Sequence, residues 1–331
     1  MNIMSFNHNH IVKAKEIAMA NYEEERQKLP YLPRIDEIPD LNYFADNQLG
    51  VTAFEGDQML GFLCAYQPSE DAFGTTNVRG TFSPIHAHGV ISSCFDRSTG
   101  DFVRYDRDRI YSRLYQEAAK RWVEAGIKSH AIALYTHEKD SINSFFYNSF
   151  GLRCMDAVRS LDTIPEYFEV NSDCNNEIEY CELRKEEWRN LTGYHNGLIS
   201  HLGNSPCFMR YDSIEEEDIC LEASEGVRYF AAKAGGEYIV YLKISDEGEN
   251  FITEYQGMKN ICGAYCKPSY RGTGISHNLL CYLMKTLKRE GYELLGVDCE
   301  SFNPTARSFW LKYFTEYTNS MVRRIDDKVF L

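Results

Sequence analysis

The chain has 331 residues and a formal net charge of −14, with 35 Lys and Arg against 49 Asp and Glu. That surplus of acid argues against nucleic acid or an anionic membrane as the main partner, while still allowing an anion held in the local field of one loop. Apolar residues make up 44% of the chain, with 23 Tyr and 19 Phe, so sizeable cores can form, and the length suits about two domains.

No run of about 18 apolar residues occurs, so no membrane-spanning helix is expected. Residues 1–20 mix His, Lys and Glu with apolar residues and do not read as a signal peptide. The 11 cysteines are scattered without a C-x-x-C pair, which leads to the expectation of reduced thiols and a cytoplasmic protein. None has an evident activating neighbour.

In chain order, residues 11–29 read as a helix that stops before Leu29-Pro30, and the segment holding Pro30, Pro33 and Pro39 as a loop. Residues 50–54 and 59–66 read as two strands around Glu55-Gly56-Asp57, and 81–91 as a third strand interrupted by Pro84. A polar stretch covers 96–108. Residues 109–125 form an amphipathic helix with Ile110, Leu114, Ala118, Trp122 and Val123 on one face. A strand at 131–135, a helix at 140–149 and a strand at 153–161 follow. Residues 163–177, with Pro165, Asn171, Asp173, Asn175 and Asn176, read as a linker.

Beyond the linker a similar order recurs. It comprises a strand at 178–183, a helix at 185–195, an acidic helix at 213–225, and a hairpin of 228–233 and 238–244 around Gly235-Gly236. A strand at 261–266 then runs into Lys267-Pro268-Ser269-Tyr270-Arg271-Gly272-Thr273-Gly274-Ile275-Ser276. From there Ile275, Leu279, Leu280, Leu283, Met284 and Leu287 repeat at helical spacing up to Glu290-Gly291. Gly272 and Gly274 permit backbone conformations that side chains obstruct. Free N–H groups at a helix start form an anion site, and Arg271 adds a charge suited to phosphate. The same glycines also fit a plain turn. A strand at 294–300 leads to Asn303, Ala306, Phe309 and Trp310 at the start of another helix.

This order resembles the GNAT acetyltransferase superfamily. That family's acetyl-CoA motif is Arg or Gln, two residues, Gly, one residue, Gly or Ala. Here Arg271, Gly274 and Ser276 fill it, with Ser in the last place. The next family block is Asn, two residues, Ala, two residues, Phe-Tyr, matched by Asn303, Ala306, Phe309 and Trp310. In the first half Phe146-Tyr147 and Gly151 match the end of the same block. The chain is thus similar to a tandem protein of two GNAT folds. Each is an α/β (α+β) unit with a mixed sheet, expected at 1–163 and 177–331. The halves differ: Arg107 aligns with Arg271, but both loop glycines are missing and Asp108 brings a negative charge. The first half is therefore expected not to bind acetyl-CoA in the usual way, and to shape an acceptor pocket instead.

The resemblance implies acetyl transfer from acetyl-CoA, as co-substrate, to an amine of a small molecule. It also implies contacts to the cofactor from Tyr265, Cys266, the loop Arg271, Gly272, Thr273, Gly274, Ile275 and Ser276, and Asn303. The usual proton donor is the Tyr of Phe-Tyr, replaced here by Trp310, whose indole N–H is no usable acid. Tyr313, one turn on, is the substitute candidate, against the reading of a core tyrosine. Glu254 is the candidate base, against that of an exposed carboxylate, and Tyr255 is a weaker one. His86 and His88 share a strand face, but no third metal ligand is placed by the sequence. Trp310 and the altered first loop leave a second reading open, a non-catalytic acyl-CoA-binding or scaffolding protein.

Overall fold

The computed structural model describes residues 1–70, 78–96, 101–167, 178–221 and 226–330, with only the backbone of 94–96 and 101–103. Fifteen strands and eight α-helices occur among these residues. They begin with β1 (Asn2–Ser5), α1 (Ile11–Lys28), α2 (Asn42–Asn47), β2 (Val51–Glu55), β3 (Gln58–Leu63), β4 (Gly80–Ser83), β5 (His88–Val90), β6 (Ser93–Asp96) and β7 (Asp101–Arg104). Next come α3 (Arg107–Glu124), β8 (Ser129–Tyr135), α4 (Lys139–Tyr147), β9 (Gly151–Ser160) and β10 (Ile178–Glu182). After them lie α5 (Thr192–Gly203), α6 (Glu216–Leu221), β11 (Arg228–Ala234), β12 (Glu237–Ser245) and β13 (Met258–Cys266). The chain ends with α7 (Ile275–Arg289), β14 (Leu294–Glu300), α8 (Pro304–Trp310) and β15 (Thr315–Arg324).

The chain divides into two compact units, Met1–Met155 with Glu316–Leu331, and Asp156–Thr315. This differs from a simple division at 163–177, because the last strand of the sequence pairs antiparallel with β8 inside the first unit. Of the expected linker, 168–177 lie outside the described residues, as do 222–225 of the expected acidic helix and 97–100 of the polar stretch. The expected helix at 185–195 is instead a 3-10 turn, Lys185–Leu191, leading into the longer α5.

In the first unit the apolar stripe of α3 is buried as its spacing dictates, with Ile110, Leu114, Ala118 and Trp122 in one cluster with strand residues such as Val51, Leu63 and Ile132. The strand expected at 81–91 is two strands. Pro84 cannot donate to a ladder, and pairing changes across it, β4 running parallel to β8 and β5 antiparallel to β3. His88 is buried, its ring nitrogens bonded to the Tyr111 hydroxyl (3.1 Å) and the Ala133 carbonyl (2.7 Å), so it is a satisfied core histidine. Tyr147, which matches the family block in sequence, is 81% exposed. In α4 it is Phe145 that enters the core, which turns the next two residues outward.

In the second unit the sheet order is β10-β11-β12-β13-β14, followed by β9. The β11–β12 hairpin turns on Gly235 and Gly236, both at positive φ (57° and 84°). The stripe of α7 is buried throughout, Ile275, Leu279, Leu280, Leu283, Met284 and Leu287 all being 1% exposed or less. No helix among the described residues is long and apolar enough to cross a membrane.

Candidate active site

The central feature of the second unit is a strand that parts from its neighbour. Strand β13 pairs parallel with β14 only over Met258–Ile261 against Leu294–Val297. It stays paired with β12 as far as Cys266. Past Ile261, no strand among the described residues pairs with the edge of β13 that faced β14, so its N–H and C=O groups are offered to a ligand or to water. The register against β12 slips between Lys243 and Ile244, leaving Cys262 as an extra residue. Such a bulge re-aims the strand where pairing ends.

Beyond Cys266 the chain turns through the glycine loop into α7. Gly272 and Gly274 have φ of +81° and +90°, the left-handed region that disfavours side chains. A Cβ on Gly272 would meet nothing within 4 Å, so backbone conformation and open approach, rather than packing, call for glycine there. Gly274 is the N-cap of α7 and supplies no side-chain cap. The first-turn N–H groups of α7 therefore point outward without a capping acceptor from that residue. The Thr273 hydroxyl closes the loop by donating to the Tyr270 carbonyl at 2.7 Å.

The parted strands and the loop open on one cavity of about 1000 Å³. Tyr265, Cys266, Arg271, Gly272, Thr273, Gly274 and Ser276 line it, and so do Asn303 and Tyr313 across from them in sequence. Ile275 is different: its side chain is 1% exposed in the core, and only its backbone can serve a ligand. Asn303 is 6% exposed and N-caps α8, its side-chain oxygen accepting from Ala306 N at 3.3 Å. That cap is itself a reason for Asn at this position.

Trp310 is buried at 4% exposure and lines the cavity, packed edge-on against Phe309 and Phe314. Tyr313 lies one turn on, half-buried, with its ring 5.3 Å from Phe309 and 5.1 Å from His277. Burial raises its pKa, so the hydroxyl keeps its proton through neutral pH.

Glu254 is exposed on the 3-10 turn Phe251–Glu254 and does not line the cavity. Tyr255 donates to Glu293 at 3.0 Å and is also outside it. The carboxylates that do line the cavity are Glu249, Asp298 and Glu300. Asp298 and Glu300 fall two apart on β14, on the stretch beyond the last pair with β13, so they share a face. Asp298 is partly buried, and desolvation, with Asp156, Glu249 and Glu300 close by, holds its carboxyl well above the usual range. Asp156 itself is buried and accepts from Asn250 Nδ2 at 2.9 Å. The sequence signal was available: two acids break an otherwise apolar strand, Leu294–Val297. His277, 3% exposed and lining the cavity, was also missed; its Nε2 bonds to the Glu166 carbonyl at 2.8 Å.

A family model described as acetyltransferase (GNAT) matches residues 181–314, which contain the parted strands, the loop and α8. Residues 181–314 are therefore a GNAT acetyltransferase-family domain. Solved structures similar to the chain extend the likeness in fold beyond the GNAT domain. A GCN5-related N-acetyltransferase from Sphaerobacter thermophilus is 12% identical with a TM-score of 0.51, over 98% of this chain and 95% of that one. A GCN5-related glucosamine N-acetyltransferase region of a fungal multi-domain β-N-acetylglucosaminidase is 11% identical with a TM-score of 0.52, over 97% of this chain and 38% of that one. Coverage of nearly the whole chain agrees with two tandem folds of this kind, beyond the one matched GNAT domain. No curated protein matches the chain.

Proposed function

We propose that the GNAT domain transfers an acetyl group from acetyl-CoA to an amine of a small molecule. The observation that carries this reading is the parting of β13 from β14 directly above a two-glycine loop at an uncapped helix start. An extended amide chain can pair with the open edge of β13, while the N–H groups of Gly272 and of 274–277, with Arg271, hold a diphosphate. Acetyl-CoA supplies the activated thioester. Asp298, with Glu249 and Glu300 beside it, attracts a protonated amine and takes its proton. Tyr313 holds a proton for the departing thiolate in place of the missing family tyrosine.

Calorimetric titration with acetyl-CoA tests the reading on wild type and on the double variant Gly272→Asp/Gly274→Asp, where carboxylates replace the open backbone. One site per chain, lost in the folded variant, is expected, followed by thiol release with some member of an amine panel. No binding to folded wild type refutes the reading. Binding without turnover for any amine leaves a non-catalytic binder.

A further inference from the structure

Tyr265 joins two walls of the cavity. Strand β13 presents its ring to α5, where a Cβ on Gly197 would lie 2.8 Å from Tyr265 Cζ and 2.9 Å from its hydroxyl oxygen. Glycine weakens a helix interior, so its place in α5 answers the ring that lies against it. Tyr194, one turn earlier, meets the same ring near edge-on, with centroids 6.4 Å apart at 72°. The guanidinium carbon of Arg271 lies 5.8 Å from the centroid of the same ring, and Arg271 Nε donates to the Cys266 carbonyl at 3.2 Å. Thus one side chain touches the arginine of the anion loop and also the helix whose Leu198, His201 and Leu202 line the cavity.

We infer that Tyr265 is a positioning residue that couples anion capture at Arg271 to the placement of the α5 wall facing the acceptor. The inference rests on the reading of the site as an acetyl-CoA site. An arginine held over a ring gains a cation–π attraction that it gives up or shares when it turns to a phosphate. The ring then repacks against Gly197, where no side chain buffers the contact. Because coupling between two sites is reciprocal, whatever fixes α5 also biases Arg271. A purely structural tyrosine would support the neighbouring cluster of Trp188, Tyr229 and Tyr241 but would leave loop and helix independent.

Amide hydrogen exchange with CoA as the probe separates these cases. In wild type, saturating CoA should slow exchange in 271–276 and also in 192–203, the latter about threefold to tenfold, the range of one such contact. In Tyr265→Ala, CoA at saturation should protect 271–276 and leave 192–203 at the ligand-free rate. Tyr265→Phe, which keeps the ring, should behave as wild type. Gly197→Ala displaces the ring with the tyrosine intact and should behave as Tyr265→Ala, which guards against a mere loss of folding. Equal protection of 192–203 in wild type and Tyr265→Ala overturns the inference. So does a wild type protected at the loop but unchanged in α5. If CoA neither protects the loop nor releases heat with wild type, the acetyl-CoA reading falls, and the coupling with it.

Discussion

The starts of α3 and α7 follow the same plan and end in opposite states. Both helices open beside an arginine that the sequence aligns, Arg107 and Arg271. At α7 the approach is a strand with one open edge, two glycines at positive φ and a cap without a side chain, and Arg271 is exposed. At α3 the approach is the second strand of the antiparallel β6–β7 pair, and Asp106 caps the helix by accepting from Arg109 N at 3.1 Å. Arg107 is turned inward at 8% exposure, paired with Glu24 (2.8 Å) and Glu138 (3.1 Å). On the reading proposed above, the comparison gives what an anion site requires beyond a helix N-terminus. The donors must stay uncapped, the backbone must be approachable, and the cation must not already be neutralised. Where carboxylates of the fold fill those places, the same location becomes a structural joint.

The largest expected effect breaks the likeness between the two arginines. Arg107→Leu leaves Glu138 buried without its cation, a loss of about 3–5 kcal/mol of stability by analogy with other broken buried pairs. Arg271→Leu, at an exposed position, should change stability by less than about 0.5 kcal/mol and weaken acetyl-CoA about tenfold or more. Urea denaturation and calorimetry of both variants check this. Equal stability losses would mean that Arg107 is not the structural member of the pair.

The next effect is one of pH. Burial pushes the Glu138 carboxyl up from 4.5 to about 7, outweighing the attraction of Arg107. In that range the folded chain holds a proton that the unfolded chain has released. Stability therefore falls as pH rises from 4.5 towards 7, and the loss is complete above the folded pKa. A shift of this size corresponds to about 3 kcal/mol. Glu138→Gln should remove that slope from the melting profile, while Gly272→Asp/Gly274→Asp should keep it. A profile for Glu138→Gln that parallels wild type would show that Glu138 stays ionised throughout.

Much of the second unit was legible because its signals are local. Positive φ at Gly272 and Gly274 follows from residue type, and the stripe from Ile275 to Leu287 follows from helical spacing. The cavity carboxylates were legible only in part: two acids interrupt an apolar strand, but Asp298 and Glu300 line the cavity because the parallel pairing of β14 stops before them, a register that no local pattern fixes. Glu254, the expected base, occupies a turn that carries it outside the cavity. Strand β15 was missed because its partner, β8, lies far away in sequence. The partners of Arg107, in α1 and before α4, are similarly remote from it.

The smallest effect sharpens the comparison at the caps themselves. Asp106 satisfies one donor of α3 with its own side chain, and Gly274 satisfies none at α7. Asp106→Ala should therefore cost about 1 kcal/mol, the usual worth of such a cap. It should leave the acetyl-CoA affinity of the GNAT domain unchanged, because the donor it uncovers lies beside a helix start already occupied by the Arg107 pairs. Denaturation with a parallel acetyl-CoA titration measures both quantities. If Asp106→Ala instead creates a second acetyl-CoA site, the cap alone closes the first unit's helix start. The ion pairs of Arg107 would then be a consequence of that closure and not its cause.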